Sequence, residues 1–289
     1  MVARVRRFNR TVTQRVGALQ DHYLSRERPL GQARVLWEIG DGSDVRALRS
    51  RLELDSGYLS RILRSLESDG LVVVAPHEAD ARIRTVRLTG AGQAERTLLD
   101  GRSDQLAHDI LAPLDARQQQ RLVAAMSEVE RLLVASSVRV EVCPPRHPHA
   151  RACLRAYYAE LAQRFEAGFD PDRSIPATAA ELTLPAGLLL VATLHGEPVG
   201  CGALKFHDDA PTEIKRMWVA PTVRGMGLGG RLLDELERRA AERGVPTVRL
   251  ETNRTLTEAI AMYRARGYRE VPAFNDEPYA HHWFEKQLG

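Results

Sequence analysis

The stretch VEVCPPRHPHA, residues 140–150, carries prolines at 144, 145 and 148. A helix cannot run through it. Proline lacks the backbone N–H, clashes with the preceding turn and pushes its predecessor toward extended backbone. The chain must end one architecture here and begin another. Before the break, helical periodicities surround one short strand pair; after it, strand-like and helical runs alternate. At roughly 100–200 residues per domain, 289 residues accommodate two. The expected organisation is a mainly helical domain over 1–137, a Pro-rich linker and first strand over 138–150, and an α/β domain over 151–289 with a mixed, mostly antiparallel sheet.

Composition bounds the class. Hydrophobic content of 44% with 27% charged residues suits a soluble globular chain. No apolar run reaches the roughly 20 residues that span a bilayer, and MVARVRRFNRTVTQ leads into no signal-like apolar segment. Three cysteines (Cys143, Cys153, Cys201) without a CxxC pair suggest a reduced, cytoplasmic protein with no disulfide framework and no metal site. The net charge of +3 lies in the first part: residues 1–137 hold 21 arginines against 18 carboxylates, and the remaining 20 basic and 20 acidic residues cancel. An excess of three is weak evidence of a polyanion partner.

In the first part, residues 4–25 read as one helix, Leu30–Ile39 as a second, and VRALRSRL, capped by Ser43, as a third. In LDSGYLSRILRSLESDGLV, Leu59, Ile62, Leu63 and Leu66 follow i, i+3, i+4, i+7 and form a buried stripe, with Asp55 or Ser56 as the cap. The opposite face presents Ser56, Tyr58, Ser60, Arg61 and Arg64. It is short, polar and basic, as suits a helix entering a DNA groove. VVVAP (72–76) and RTVRLT (84–89) form a hairpin with Arg82 at its tip, placed to reach a minor groove. Two long helices follow. The order over 1–137, with the Asp80-x-Arg82 wing and the LTGAG that follows, resembles the MarR family of winged helix-turn-helix regulators. That resemblance implies a homodimer on double-stranded DNA; the structural alternative is a winged helix used only for dimerisation or protein contact.

In the second part, RACLRAYYAELAQRF is helical, and GLLLVATL-HGEP-VGCGALKFH is a hairpin turning at Gly-Glu-Pro. EIKRMWV (213–219) is a strand. The segment VRGMGLGGRLLDEL follows it, with Arg224, Gly225, Met226, Gly227, Leu228, Gly229 and Gly230 at the mouth of a helix. Glycines there cost backbone entropy, so something requires the space they leave. Backbone N–H groups at a helix N-terminus form an anion site, to which an arginine adds a charge-assisted contact. The spacing is not that of a dinucleotide-binding GxGxxG unit. PTVRLET, LTEAIAMYRARG, YREV and HHWFEKQL complete the alternation.

Arg-x-x-Gly-x-Gly after a strand ending in valine, followed in order by AIAMYRARGY (259–268), resembles the GNAT acyltransferase superfamily over residues 139–289. The resemblance implies acetyl-CoA as cofactor, with its pyrophosphate on the glycine loop and its thioester carbonyl near the backbone of Trp218 and Val219. It places Tyr263 where a general acid protonates the leaving thiolate; the alternative is a core tyrosine. Glu213, six residues before Val219, matches the general base of one branch, and His281 or His282 are alternatives. The family's asparagine is replaced by Leu256, for which Asn253 is a nearby substitute. Tyr157, Glu160, Arg164 and Phe165, with Asn275 and Tyr279, are expected on the acceptor side. An arginine there suits the carboxylate of an amino-acid-like amine. The sequence thus implies a small-molecule N-acetyltransferase fused to a MarR-type regulator; the alternative is a non-catalytic acyl-CoA or metabolite sensor.

Overall fold

The computed structural model describes residues 1–18, 24, 28–78, 80–166, 168–175 and 177–288. They form two compact units, Met1–Glu128 and Val129–Gly289.

The first unit begins with α1 (Val2–Arg15), which buries none of its residues. The predicted helix over 4–25 stops there in a turn at 16–18; positions 19–23 and 25 lie outside the described residues. Helices α2 (Leu30–Ile39), α3 (Val45–Leu52) and α4 (Ser56–Ser68) follow, with β1 (Ser43–Asp44) ahead of α3. The α3 cap is Asp44, not Ser43: its carboxylate accepts from the Arg46 and Ala47 N–H groups, and Ser43 is taken into β1. Asp55 caps α4 through the N–H groups of Gly57 and Tyr58, at 2.9 and 3.1 Å. Such a cap contributes about 1 kcal/mol. The stripe Leu59, Ile62, Leu63 and Leu66 is buried against Leu36, Leu48 and Val86. β2 (Val72–His77) and β3 (Asp80–Leu88) form the wing, and β1 pairs with β3 to give the order β1-β3-β2. The long helices α5 (Gly90–Leu111) and α6 (Ala116–Ser137) follow, and the unit boundary falls within α6.

The second unit is a seven-stranded sheet with α7 (Pro148–Arg164), α8 (Leu228–Ala241) and α9 (Thr257–Ala265). Its strands are β4 (Arg139–Val142), β5 (Gly187–Leu194), β6 (Glu197–Lys205), β7 (Thr212–Val219), β8 (Thr247–Thr252), β9 (Arg269–Val271) and β10 (His282–Gln287), in the order β4-β5-β6-β7-β8-β10-β9. The β5–β6 turn is His195-Gly196 rather than Gly-Glu-Pro. Both residues have positive φ (51° and 84°), as a two-residue hairpin turn of primed type requires.

All described pairings are antiparallel except β7 with β8, which pair at Thr212–Val248 and Glu213–Arg249 and then separate. On its other edge β7 bulges. Trp218 opposes Cys201 and Lys215 opposes Ala203, so Arg216 and Met217 face the single residue Gly202. Arg216 takes up the extra length at φ 59°. The bulge and the separation open the sheet between β7 and β8. Helix α8 closes one face of the sheet by burying Leu228, Leu232, Leu233, Leu236 and Ala240.

Candidate functional site

Where β7 leaves β8, a cleft of about 470 Å³ forms between α7, the end of β7, the glycine loop and α9. A one-turn helix (Pro221–Val223) carries the chain from β7 into the loop. Gly225 and Gly227 have φ of 78° and 75°, a backbone region that disfavours other residues, and no atom lies within 4 Å of a Cβ placed on either. Gly227 is the N-cap of α8 and offers no side-chain cap, so the first-turn N–H groups remain for a ligand. Gly230 has a different role: a Cβ there would lie 2.1 Å from the Arg266 guanidinium. The helix end, the open glycine positions and Arg224 together fit a pyrophosphate. In this structure Arg224 is drawn onto Glu160 at 2.5 Å and the Val219 carbonyl at 3.1 Å, contacts that an incoming anion must displace.

A second, smaller cavity of about 90 Å³ adjoins the cleft, and Tyr157, Leu161, Met217, Leu256, Ala259 and Tyr263 line both. Tyr263 lies on α9, 4% exposed, packed against Tyr268 and Phe284. Its hydroxyl has no hydrogen-bond partner among the described residues. Burial, with smaller contributions from Tyr157 and Glu251, raises its pKa, so the phenol keeps its proton. Burial also pushes Tyr157 up to about 12, partly offset by the positive charge of Arg216.

The other expected residues divide. Trp218, Val219, Arg224, Gly225, Leu228 and Gly229 line the large cleft with Gly227 and Gly230, whereas Met226 packs on the core. Glu160 also lies at the large cleft and gathers the Trp218 indole N–H (2.9 Å), Arg224 and Arg164 (3.2 Å). Arg164 is committed further to Glu258 and the Thr255 carbonyl. Asn253 borders the small cavity, not the glycine loop. Its amide donates to the Tyr279 carbonyl at 2.8 Å and its oxygen accepts from Thr255 N–H at 2.9 Å, fixing the turn into α9. Phe165 and Tyr279 line the small cavity; Asn275 instead accepts from the Trp283 indole.

Glu213 lines neither cavity. It is 5% exposed. Arg249 lies 2.9 Å away, Lys215 3.3 Å and His207 3.5 Å. Burial favours the protonated carboxyl, but Lys215, the Arg249 hydrogen bond and His207 outweigh it and hold the pKa below its ordinary value. A carboxylate so held is a poor proton acceptor. His281 is exposed just before β10 and lines neither cavity, and His282 is bound to Glu270 at 2.6 Å.

Two carboxylates reach the small cavity: Glu277, which already accepts from Ser174 and Ile175, and Glu251, on β8. One oxygen of Glu251 is paired with Lys215; Oε2 is buried with no partner. Arg216 lines the same cavity. For Glu251 the signal was in the strand alternation; Arg216 alternates onto the face of Ile214 and its position depends on the bulge. Glu213 and Lys215 share one face of β7, and Arg249 and Glu251 share one face of β8, with Ile214 and Leu250 on the opposite faces. Two charge-matched faces on strands that pair in parallel mark a buried charged patch beside the splay.

In the first unit, Ser56, Tyr58, Ser60, Arg61 and Arg64 are all exposed on α4, opposite its buried stripe. The Arg61 guanidinium lies 5.8 Å from the centre of the Tyr58 ring, and Arg64 Nε donates to the Ser60 carbonyl at 3.3 Å. Arg82 is exposed on the wing, its N–H held by Asp80 at 2.9 Å.

A splayed parallel strand pair, a glycine loop opening a helix, and a buried tyrosine at the junction of two cavities define an acyltransferase-type domain. A winged helix precedes it. The comparisons agree: residues 154–268 match the acetyltransferase (GNAT) family model and residues 27–83 the MarR family model. The chain therefore carries a GNAT acetyltransferase domain behind a MarR-type winged helix-turn-helix. It is 38% identical over 94 residues to an IAA acetyltransferase of Azospirillum brasilense, covering 32% of this chain and 61% of the relative. It is 40% identical over 76 residues to the HTH-type transcriptional regulator TtmR of Methylorubrum extorquens, covering 26% and 36%. The chain thus spans less than two thirds of each of these relatives. Among solved structures, an acetyltransferase of the GNAT family from Staphylococcus aureus covers 53% of this chain and 99% of its own at 18% identity and a TM-score of 0.46. No described helix is long and apolar enough to cross a membrane.

Proposed function

We propose that the second unit transfers the acetyl group of acetyl-CoA to a small-molecule amine, and that the first unit binds double-stranded DNA as a homodimer. The observation that carries the enzymatic half is the junction: Tyr263, its proton retained by burial, borders both the cleft that ends on the glycine loop and the small charged cavity.

The N–H groups at the start of α8 and Arg224 hold the pyrophosphate, and the backbone of Trp218 and Val219 lies at the thioester end. Acetyl-CoA supplies the acyl carbon in activated form. Oε2 of Glu251, rather than Glu213, takes one proton from the substrate ammonium. Tyr263 gives the proton needed by the departing sulfur and recovers one, through solvent, from the nitrogen that forms the amide. The sum is one C–N bond made, one C–S bond broken and one proton released. Neutralising the amine and protonating the thiolate are the two steps where positioned groups lower the barrier most.

DNA recognition rests on the exposed face of α4 and on Arg82. Dimerisation rests on helices that bury little in one chain: Val5, Phe8 and Val12 of α1 are exposed, as are Val123, Met126 and Leu133 of α6. Sedimentation of the full chain tests that point.

The deciding experiment is thiol release from acetyl-CoA against a panel of amines, with Tyr263→Phe and Glu251→Gln beside the wild type. Turnover on one amine class, lost in both variants, is expected. Tight acetyl-CoA binding with no turnover on any amine would replace the enzyme with an acyl-CoA sensor.

A further inference from the structure

The small cavity is lined by four charged side chains, and two of them are already satisfied. Lys215 is paired with Glu251 and, at 3.3 Å, with Glu213. Glu277 accepts from Ser174 Oγ at 2.9 Å, from Ile175 N–H at 2.7 Å and from Tyr279 N–H at 3.3 Å. The other two are open. Glu251 Oε2 is buried and unpartnered, and Arg216 has a buried, unpartnered Nε. No carboxylate pairs with the Arg216 guanidinium among the described residues; it lies over the Tyr158 and Tyr157 rings, at 5.1 and 5.8 Å, and meets the neutral Tyr157 hydroxyl. A guanidinium with a buried, unpartnered nitrogen and no carboxylate beside it is costly, so its retention there points to an anionic group that arrives with a ligand. The β7 bulge holds it in place, at φ 59°. Part of the remaining wall is aromatic: Phe165, Phe169 and Tyr279, with Phe169 and Tyr279 centroids 4.8 Å apart.

One open negative oxygen and one open guanidinium in the same small aromatic cavity match a zwitterion. We propose that Arg216 determines acceptor specificity: the acetylated amine also bears a carboxylate, which pairs with Arg216 while the ammonium meets Glu251, and its apolar side chain lies against Phe165, Phe169 and Tyr279. The acceptor class is therefore a small α-amino acid or a similar aminocarboxylate with an apolar or aromatic side chain. At about 90 Å³ the cavity has room for roughly six to nine waters, which limits the acceptor to that size. Arg164, the arginine expected from the sequence to bind such a carboxylate, is already committed to Glu160 and Glu258.

This inference rests on the acetyl-transfer reading, and its test separates the two. Thiol release from acetyl-CoA is measured with valine and phenylalanine, with their carboxamides, and with isobutylamine and 2-phenylethylamine. Wild type is expected to favour the free acids. Arg216→Met should raise KM for the acids about 10- to 100-fold, the loss of one charge-assisted pair, and leave KM for the two carboxylate-free amines unchanged. Arg216→Lys should recover part of the loss. Equal wild-type use of acids and amines, or an equal loss on both in Arg216→Met, would overturn the proposal. If the Met variant fails to fold, the wild-type comparison of acid with carboxamide decides alone. If no acceptor supports thiol release, the acetyl-transfer reading fails. Calorimetric titration of the wild type with phenylalanine and with 2-phenylethylamine then still tests the carboxylate: binding of the acid alone supports Arg216, and equal or absent binding rejects it.

Discussion

The two units place their charges in opposite ways. In the first, Leu36, Leu48, Leu59 and Leu66 make an aliphatic core, and Arg61, Arg64 and Arg82 stand in solvent. In the second, Glu213 and Lys215 are only 5% and 6% exposed, and the Glu251 side chain 9%. Exposed charges keep their hydration and act additively, which suits recognition of a long, wet polyanion. Buried charges are fixed in a low-dielectric surrounding, where a single pair acts strongly on the few atoms of a small ligand. The β7 edge carries the distinction further. Glu213 sits where β7 and β8 are still paired and is consumed by Arg249 and Lys215; Glu251 sits where they have parted and keeps one oxygen free.

If the second unit works from its interior, single substitutions there should act strongly and locally. Tyr263→Phe keeps the packing on Tyr268 and Phe284 and removes only the proton donor. Its kcat for thiol release should fall on the order of 10²–10⁴-fold with little change in melting temperature. Glu251→Gln should lower kcat/KM about 10²-fold, a loss that Glu213→Gln should not reproduce.

Glu213 should matter for stability instead. Removing one partner of a buried ion cluster leaves the others uncompensated, so Glu213→Gln should cost about 3–5 kcal/mol in denaturant unfolding while folded protein retains its turnover. The sign of the pH dependence follows from the depressed pKa. The stabilisation is present above the ordinary value of 4.5 and is lost as pH falls through the lower folded value, so the variant should unfold with a flatter acid limb than wild type. An unchanged acid limb would mean that Glu213 is not held as its partners indicate.

The smallest effects belong to the exposed face of the first unit. Arg61→Ala and Arg64→Ala should each lower the salt slope of DNA binding by about one and leave thiol release unaffected. A change in turnover from either substitution would break the separation between the two units.

Much of this arrangement was set by local sequence. The α4 stripe at i, i+3, i+4, i+7 fixes which face is buried, and so leaves Ser56, Tyr58, Ser60, Arg61 and Arg64 outside whatever the helix packs on. The proline run at 144–148 fixes where helical periodicity must stop. The glycines at 225 and 227 follow from backbone φ, which is a property of the loop itself. The fate of the carboxylates was not local. A glutamate six residues from a strand end carries no record of which strand will lie beside it. Pairing with β8 delivered Arg249 to Glu213, and the bulge at Arg216 with the splay beyond it left Glu251 and Arg216 open. Glu160 and Arg164 are one helical turn apart, but Arg224 lies 64 residues from Glu160 and meets it only because α7 packs beside the end of β7. Periodicity and backbone conformation are short-range and can be read from neighbours in sequence. Charge compensation depends on which strands and helices become neighbours in space, and only the tertiary structure decides that.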